Sequence, residues 1–214
     1  VVLEHGGMVM RTARVGGLAA RGCEPRPGLG QTGHCAQLMI PPVPGARLVA
    51  TTAQVEAAYQ RLAASIQPAV AAGDCVLLGV LLGGAVPLVR IAGLLAGDFL
   101  IDACRVGRYG DATRGGIPRW ISPPQVAMRG RHVILVDDIF DEGITLDFVA
   151  TYCREQGARK LSAAVLVRKR HDRAGAKPVP DHVGLEVGDE YVFGCGMDYQ
   201  GRWRHLDAIW GLPG

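Results

Sequence analysis

The chain has 214 residues, 49% of them hydrophobic, with 23 basic and 20 acidic side chains and a net charge of +3. That is enough apolar material for one sizeable core. The charge balance argues against nucleic acid as a bulk partner, and no run of about eighteen apolar residues offers a membrane span.

Residues 1–40 are rich in glycine and arginine and show no sustained periodicity. Pro25, Pro27, Gly28, Gly30 and Gly33 punctuate their end. They read as a disordered or artefactual leader, with Met39 suited to a native start. Glu4, Glu24 and the lack of an apolar core argue against a targeting peptide. The cysteines Cys23, Cys35, Cys75, Cys104, Cys153 and Cys195 lack metal-ligand spacing, and several lie in apolar runs. That suits reduced, buried thiols of an intracellular, cytoplasmic protein.

From Thr51 to Gln67 the pattern predicts an amphipathic helix. Thr51 with Gln54 matches a capping box, and Val55, Tyr59, Leu62 and Ile66 share a face. Cys75 to Leu82 is a continuous apolar run between Asp74 and Gly83-Gly84, which predicts a buried strand. Pro87 then opens a helix with Leu88, Ile91, Ala92 and Leu95 as its stripe. Phe99 to Ala103 is the next strand. The polar, glycine-bearing tract from Val106 to Gly116 is either a solvent loop or a lid. Trp120-Ile121 returns as a strand before Pro123-Pro124.

The most informative stretch is Val133 to Leu146. Four apolar β-formers run into Asp137 and Asp138; Asp141, Gly143 and Thr145 follow, and a helical stripe of Leu146, Val149, Ala150 and Cys153 ends at Gly157. This predicts a buried parallel strand, a tight loop and a helix whose N-terminus is an anion site. Asp141 alone suits a helix N-cap. Three acids in five residues repel one another and need a cation or donors to be tolerated. Leu161 to Val167 is another strand, ending in Arg168-Lys169-Arg170-His171. A basic cluster reads first as a solvated face. Strands alternating with helices through short links predict an α/β fold, an open mostly parallel sheet flanked by helices, with ligands outside the strands' carboxyl ends.

The Val133–Leu146 stretch resembles the PRPP-binding signature of type I phosphoribosyltransferases. The segment Tyr191-Val192-Phe193-Gly194, then Asp198-Tyr199 and Arg204-His205-Leu206, resembles the hood of the hypoxanthine-guanine type. The resemblance covers roughly residues 50–212. It implies the type I phosphoribosyltransferase fold over 41–214, with a small hood subdomain formed largely by 185–214. It implies purine salvage, in which the 5-phosphoribosyl group passes from PRPP to N9 of hypoxanthine or guanine with release of pyrophosphate. Mg2+ is the implied cofactor. PRPP and a 6-oxopurine are the implied partners, with no nucleic acid and no membrane, in a homodimer or homotetramer.

Residue roles follow from the same resemblance. Asp141 is the acid/base group. Asp137 and Asp138 face the ribose hydroxyls directly or through metal, and Glu142, Gly143, Ile144 and Thr145 hold the 5-phosphate. Leu82 and Gly83 form the pyrophosphate turn, with a cis peptide bond between them. Arg108 and Tyr109 cover the pyrophosphate and Arg204 binds it. Lys169 donates to the 6-oxo group, Tyr191 stacks on the purine and the Val192 backbone reads its edge. Asp198 orients metal or water. Relatives commonly carry a polar residue at Leu82 and Thr at Glu142, so Leu82 acts through its backbone and Glu142 through its N–H, with the carboxylate turned to solvent. Two alternatives stand beside this reading: a PRPP-dependent transferase for xanthine, adenine or uracil, and a PRPP-sensing RNA-binding regulator.

Overall fold

Uninterrupted apolar runs make the middle of a sheet, because parallel strands between two helical layers have no solvent face. In the computed structural model, which describes residues 42–109, 116–171 and 180–213, these are β2 (Cys75–Leu81), β5 (His132–Phe140) and β6 (Lys160–Lys169). All belong to the compact unit Ile40–Gly214. With β3 (Leu100–Tyr109), β4 (Ile117–Ser122) and β7 (His182–Val187) they form a six-stranded sheet of order β4-β3-β2-β5-β6-β7. Every pairing is parallel except β3 with β4.

Two helices cover one face. In α1 (Thr52–Ala71) the capping box is present as expected, and Val55, Tyr59, Leu62 and Ile66 are all buried. α2 (Ala85–Ala92) starts two residues before Pro87, which sits in its first turn where a missing N–H costs nothing. This face buries Leu77, Ile134, Val136, Ala164 and Leu166. α3 (Ile144–Glu155) covers the other, over Leu78, Val133, Leu135 and Val165. Leu146, Val149, Ala150 and Cys153 are buried as its stripe requires, and Gly157 follows with φ +82°.

The Val106–Gly116 tract differs from expectation. Residues through Tyr109 continue β3, and β4 returns from Ile117, pairing Tyr109 with Ile117 and Gly107 with Arg119. An edge hairpin has one solvated face and lacks an apolar run, which is why its strands read as loop. Residues 110–115 and the side chain of Tyr109 lie outside the described residues.

A separate antiparallel sheet has the order β1-β9-β8, from β1 (Arg47–Ala50), β8 (Tyr191–Phe193) and β9 (Ile209–Leu212). Its third strand comes from the segment just ahead of α1, outside 185–214, and pairs Arg47 with Gly211. The expected leader, residues 1–40 with Cys23 and Cys35, lies outside the described residues. No helix among the described residues is long and apolar enough to cross a membrane.

Candidate active site

The strand order reverses at β2 and β5. From β2 the chain crosses to β3 on one side, and from β5 it crosses to β6 on the other. The loops leaving two such strands diverge and open a crevice at their carboxyl ends. The Leu82–Gly84 turn and the Asp141–Gly143 loop meet there.

The cis peptide bond lies between Leu81 and Leu82, one bond earlier than expected. The ladder to β3 ends at Leu81↔Arg105, so the chain leaves the sheet at Leu81 and the turn begins there. The Leu82 side chain is exposed. Gly83 is required for a different reason: a Cβ there would collide with the Asp138 carboxylate. A Cβ at Gly196, which has φ +110°, would collide with the Gly83 carbonyl. Turn, acid and hood loop therefore pack backbone to side chain with no space between.

β5 runs further than the apolar pattern implies. It continues through both acids to Phe140, with Asp137 opposite Val165 and Phe140 opposite Arg168. Alternation along the strand sends the two carboxylates to opposite faces. Asp137 lies in register with Val133 and Leu135 on the α3 side, and Asp138 with Ile134 and Val136 on the side of Gly83 and Gly196. Both are buried. Burial first, then the neighbouring Asp138 charge, pushes the Asp137 carboxyl well above the usual carboxylate range. Burial also raises Asp138, against the hydrogen bond to Asp137, the Ile139 N–H and the Arg204 charge, which lower it.

The N-cap of α3 is Gly143, at φ 76°, which has no side chain to cap the helix. The N-cap position is therefore Gly143 and not Asp141, and the start of α3 lies at the crevice. A cleft of about 220 Å3 opens over it, lined among others by Arg108, Asp137, Glu142, Gly143 and Thr145. Arg108 reaches in from β3, its Nη2 3.4 Å from Thr145 Oγ1. Glu142 is half-buried at this cleft.

A second cleft of about 200 Å3 adjoins it, lined by Lys169, Tyr191, Val192, Met197 and Asp198 together with Asp138, Ile139 and Asp141. Asp138, Ile139 and Asp141 line both clefts. Lys169 Nζ lies 3.3 Å from Asp141 Oδ2, and His171 Nε2 lies 2.9 Å from Asp141 Oδ1. Tyr191 presents a half-exposed ring, fixed by its hydroxyl donating to the Asp198 carbonyl at 2.7 Å and by edge contact with Tyr199 at 5.8 Å. Val192 is buried behind it.

Arg204 closes the site. Its guanidinium donates to the Gly196 carbonyl and, through Nη2, to Asp198 Oδ1, and Nη1 lies 3.9 Å from Asp138 Oδ2. The other Asp198 oxygen accepts the Gly201 N–H at 2.8 Å. Asp198 thus holds Arg204 with one oxygen and the Gly201 backbone with the other.

Among the described residues no group of three or more His, Cys, Asp or Glu forms a ready cage for a metal. Asp137 and Asp138 instead offer two buried carboxylates on consecutive residues, with Arg204 at 3.9 Å from Asp138 only partly offsetting the cost of their charge. That fits a hard divalent ion that takes few carboxylates and completes its shell with water and substrate oxygens.

The phosphoribosyl transferase domain model matches residues 49–200. The chain belongs to the phosphoribosyl transferase domain family. It is 29% identical over 137 residues to the hypoxanthine-guanine phosphoribosyltransferase of Mycobacterium avium, covering 64% of this chain and 67% of that protein. It is 33% identical over 110 residues to the enzyme of the same name from Bacillus subtilis, covering 51% of this chain and 61% of that one. The match thus spans about two thirds or less of these relatives' length. Among solved structures, a hypoxanthine phosphoribosyltransferase of Staphylococcus aureus superposes with a TM-score of 0.73 at 23% identity, covering 78% of this chain and 91% of that one. A hypoxanthine-guanine phosphoribosyltransferase of Bacillus anthracis gives 0.72 at 24%, covering 78% and 98%. At such identity these two show the shared type I fold.

Within this family frame the structure brings Asp137, Asp138, Asp141, Thr145, Lys169, Tyr191, Val192, Asp198 and Arg204 to one crevice. Arg108 sits at the α3 N-terminus, facing Thr145. Arg168 and Arg170 pair with Glu186 and stay on the outer face, as a solvated cluster does. His171 departs from that reading. Its side chain is only 5% exposed and contacts Asp141. Sequence reasoning missed it because its partner lies thirty positions earlier on a neighbouring strand end. Its place two residues after Lys169 was the one available signal.

Proposed function

We propose that this chain carries out purine salvage, transferring the 5-phosphoribosyl group of PRPP to N9 of hypoxanthine or guanine and releasing pyrophosphate. One observation carries the reading: an anion-suited cleft at a helix N-terminus and a cleft with an aromatic face and an ammonium share Asp138, Ile139 and Asp141 as their wall. A phosphate in the first and a purine in the second leave the ribose between them.

Each residue then has a task. The α3 N–H groups and Thr145 hold the 5-phosphate. Glu142 contributes its N–H and Arg108 adds a positive charge. Asp137 and Asp138 hold the ribose hydroxyls. The Leu82–Gly83 backbone and Arg204 hold pyrophosphate with a fork of donors. Arg108 and Tyr109 exclude water from the activated ribosyl centre. Tyr191 stacks on the purine and the Val192 backbone reads its edge. Lys169 donates to the 6-oxo group, which a 6-amino group cannot accept. As the N9–C1 bond forms and the bond from C1 to pyrophosphate breaks, Asp141 takes the proton from N7.

Asp137 and Asp138, with Asp198 nearby, would hold Mg2+, which would supply charge compensation for the pyrophosphate oxygens. The acidic wall supports this reading, since a polyanionic substrate would approach Asp137, Asp138, Asp141 and Glu142. We place the enzyme in the cytoplasm as a homodimer or homotetramer. Exposed Ile101, Ile117, Ile121 and Val89 supply apolar area for a second copy.

The test is product identification. Purified chain with PRPP, Mg2+ and hypoxanthine is expected to yield inosine 5′-monophosphate joined at N9, with one pyrophosphate per nucleotide. Salt-sensitive RNA binding with no nucleotide formed would replace this reading with the regulator.

A further inference from the structure

Asp141 is held from two sides by groups of different kinds. Lys169 Nζ is 3.3 Å from Oδ2, and His171 Nε2 is 2.9 Å from Oδ1 and 3.2 Å from the Asp141 carbonyl oxygen. Both neighbours of Nε2 are acceptors, so this nitrogen carries the hydrogen whichever charge state the ring has. The ring therefore donates to the carboxylate and to its backbone at once, fixing side chain and loop together. The His171 ring is only 5% exposed, so it is held in one place by its surroundings, while the Asp141 carboxylate it contacts is 35% exposed and open to the cleft.

Lys169 cannot serve two acceptors equally. If it turns to a purine oxygen, Asp141 loses the Lys169 contact just when its geometry matters, while the His171 contact remains. His171 lies on the same strand end, two residues on, and contacts the opposite carboxylate oxygen.

We propose that His171 is a positioning residue that holds Asp141 in place while Lys169 transfers from Asp141 to the 6-oxo group. The inference rests on the reading of Asp141 as the base toward N7. His171 itself touches no substrate atom. It keeps the carboxylate from rotating and leaves Lys169 free to select the base. Without it, Lys169 stays paired with Asp141, and both recognition and proton removal suffer. PRPP, held by α3 and the β2 turn, is unaffected.

The test compares His171→Gln, which keeps an amide N–H near the place of Nε2, with His171→Met, which fills similar volume without a donor. Steady-state kinetics with hypoxanthine and PRPP are run beside Asp141→Asn. His171→Met is expected to lower kcat/KM for hypoxanthine about tenfold, the scale of one hydrogen bond to a charged group. Its KM for PRPP and its melting temperature should stay near wild type, and His171→Gln should recover most of the loss. Equal losses in the two variants, or wild-type kinetics in His171→Met, would overturn the inference while leaving the base assignment intact. If His171→Met does not fold, His171→Gln decides alone: near-wild-type kinetics support a donor role, and a loss like that of Asp141→Asn refutes it. Full turnover in Asp141→Asn would remove the base assignment, and this inference with it.

Discussion

Lys169 and Asp141 form an ion pair at 3.3 Å, although one is assigned to the 6-oxo group of the purine and the other to N7. Those two purine atoms lie on the same edge of the base, so a lysine and an aspartate that touch each other can also grip them together. Under the proposed function, an incoming carbonyl would compete with the Asp141 carboxylate for the same ammonium. Lys169→Gln keeps a donor but loses the charge. It should lower kcat/KM for hypoxanthine by about ten- to a hundredfold, as expected for a charged hydrogen bond, with KM for PRPP unchanged. An equal fall for adenine, if adenine is used at all, would count against the assignment.

Asp137 illustrates function maintained against stability. Its carboxyl is raised, first by burial and then by Asp138, so between the ordinary carboxylate pKa and the raised value the folded chain keeps a proton that the unfolded chain has lost. Stability then falls as pH rises through that window. Asp137→Asn retains an oxygen to accept the Asp138 N–H, a bond of 2.9 Å, and removes the charge. It should raise the melting temperature of the ligand-free protein, by about 2–4 °C for each kcal/mol recovered. The gain over wild type should vanish below about pH 4 and widen as pH rises. PRPP binding should be lost. A variant less stable than wild type at pH 8 would contradict the sign.

Arg204 is held by the Gly196 carbonyl and Asp198, with Asp138 at 3.9 Å. A lysine carries the charge but not the planar fork. Arg204→Lys should raise KM for pyrophosphate in the reverse reaction about tenfold or more, since a charge-assisted, bidentate contact is lost. KM for the nucleotide should change much less. A reverse reaction with wild-type KM for pyrophosphate would remove Arg204 from that role.

Much of this could be read from residues alone, and the misses have physical causes. The inner strands showed because both faces are covered, leaving long apolar runs. α1 showed because Thr51 and Gln54 close a local capping box. In the β3–β4 hairpin Phe99–Ala103 and Trp120-Ile121 showed as strands, but the run through Tyr109 and the return from Ile117 did not, since this edge exposes Ile117 and Ile121 and carries no continuous apolar run. β1 is four residues long and gains its identity only by pairing with β9, some 160 positions away. The acids of Val133–Leu146 announced the site, but the contact of His171 with Asp141 joins the ends of neighbouring strands and that of Arg108 with Thr145 joins β3 to α3, which no local pattern encodes.

Glu142 lines the phosphate cleft beside Gly143 and Thr145. If its carboxylate is turned away and only its N–H serves the ligand, Glu142→Gln should change KM for PRPP by less than about threefold, a screened surface effect. A tenfold or larger gain in PRPP affinity would mean that the carboxylate faces the phosphate.

The most direct measurement is pyrophosphate release from PRPP and Mg2+ with hypoxanthine, guanine, xanthine, adenine and uracil in parallel under one set of conditions. The account predicts turnover with hypoxanthine or guanine and at least about a hundredfold lower kcat/KM with adenine, whose amino group leaves the Lys169 ammonium unpaired. Adenine or uracil used as well as hypoxanthine, or no release with any base, would contradict it.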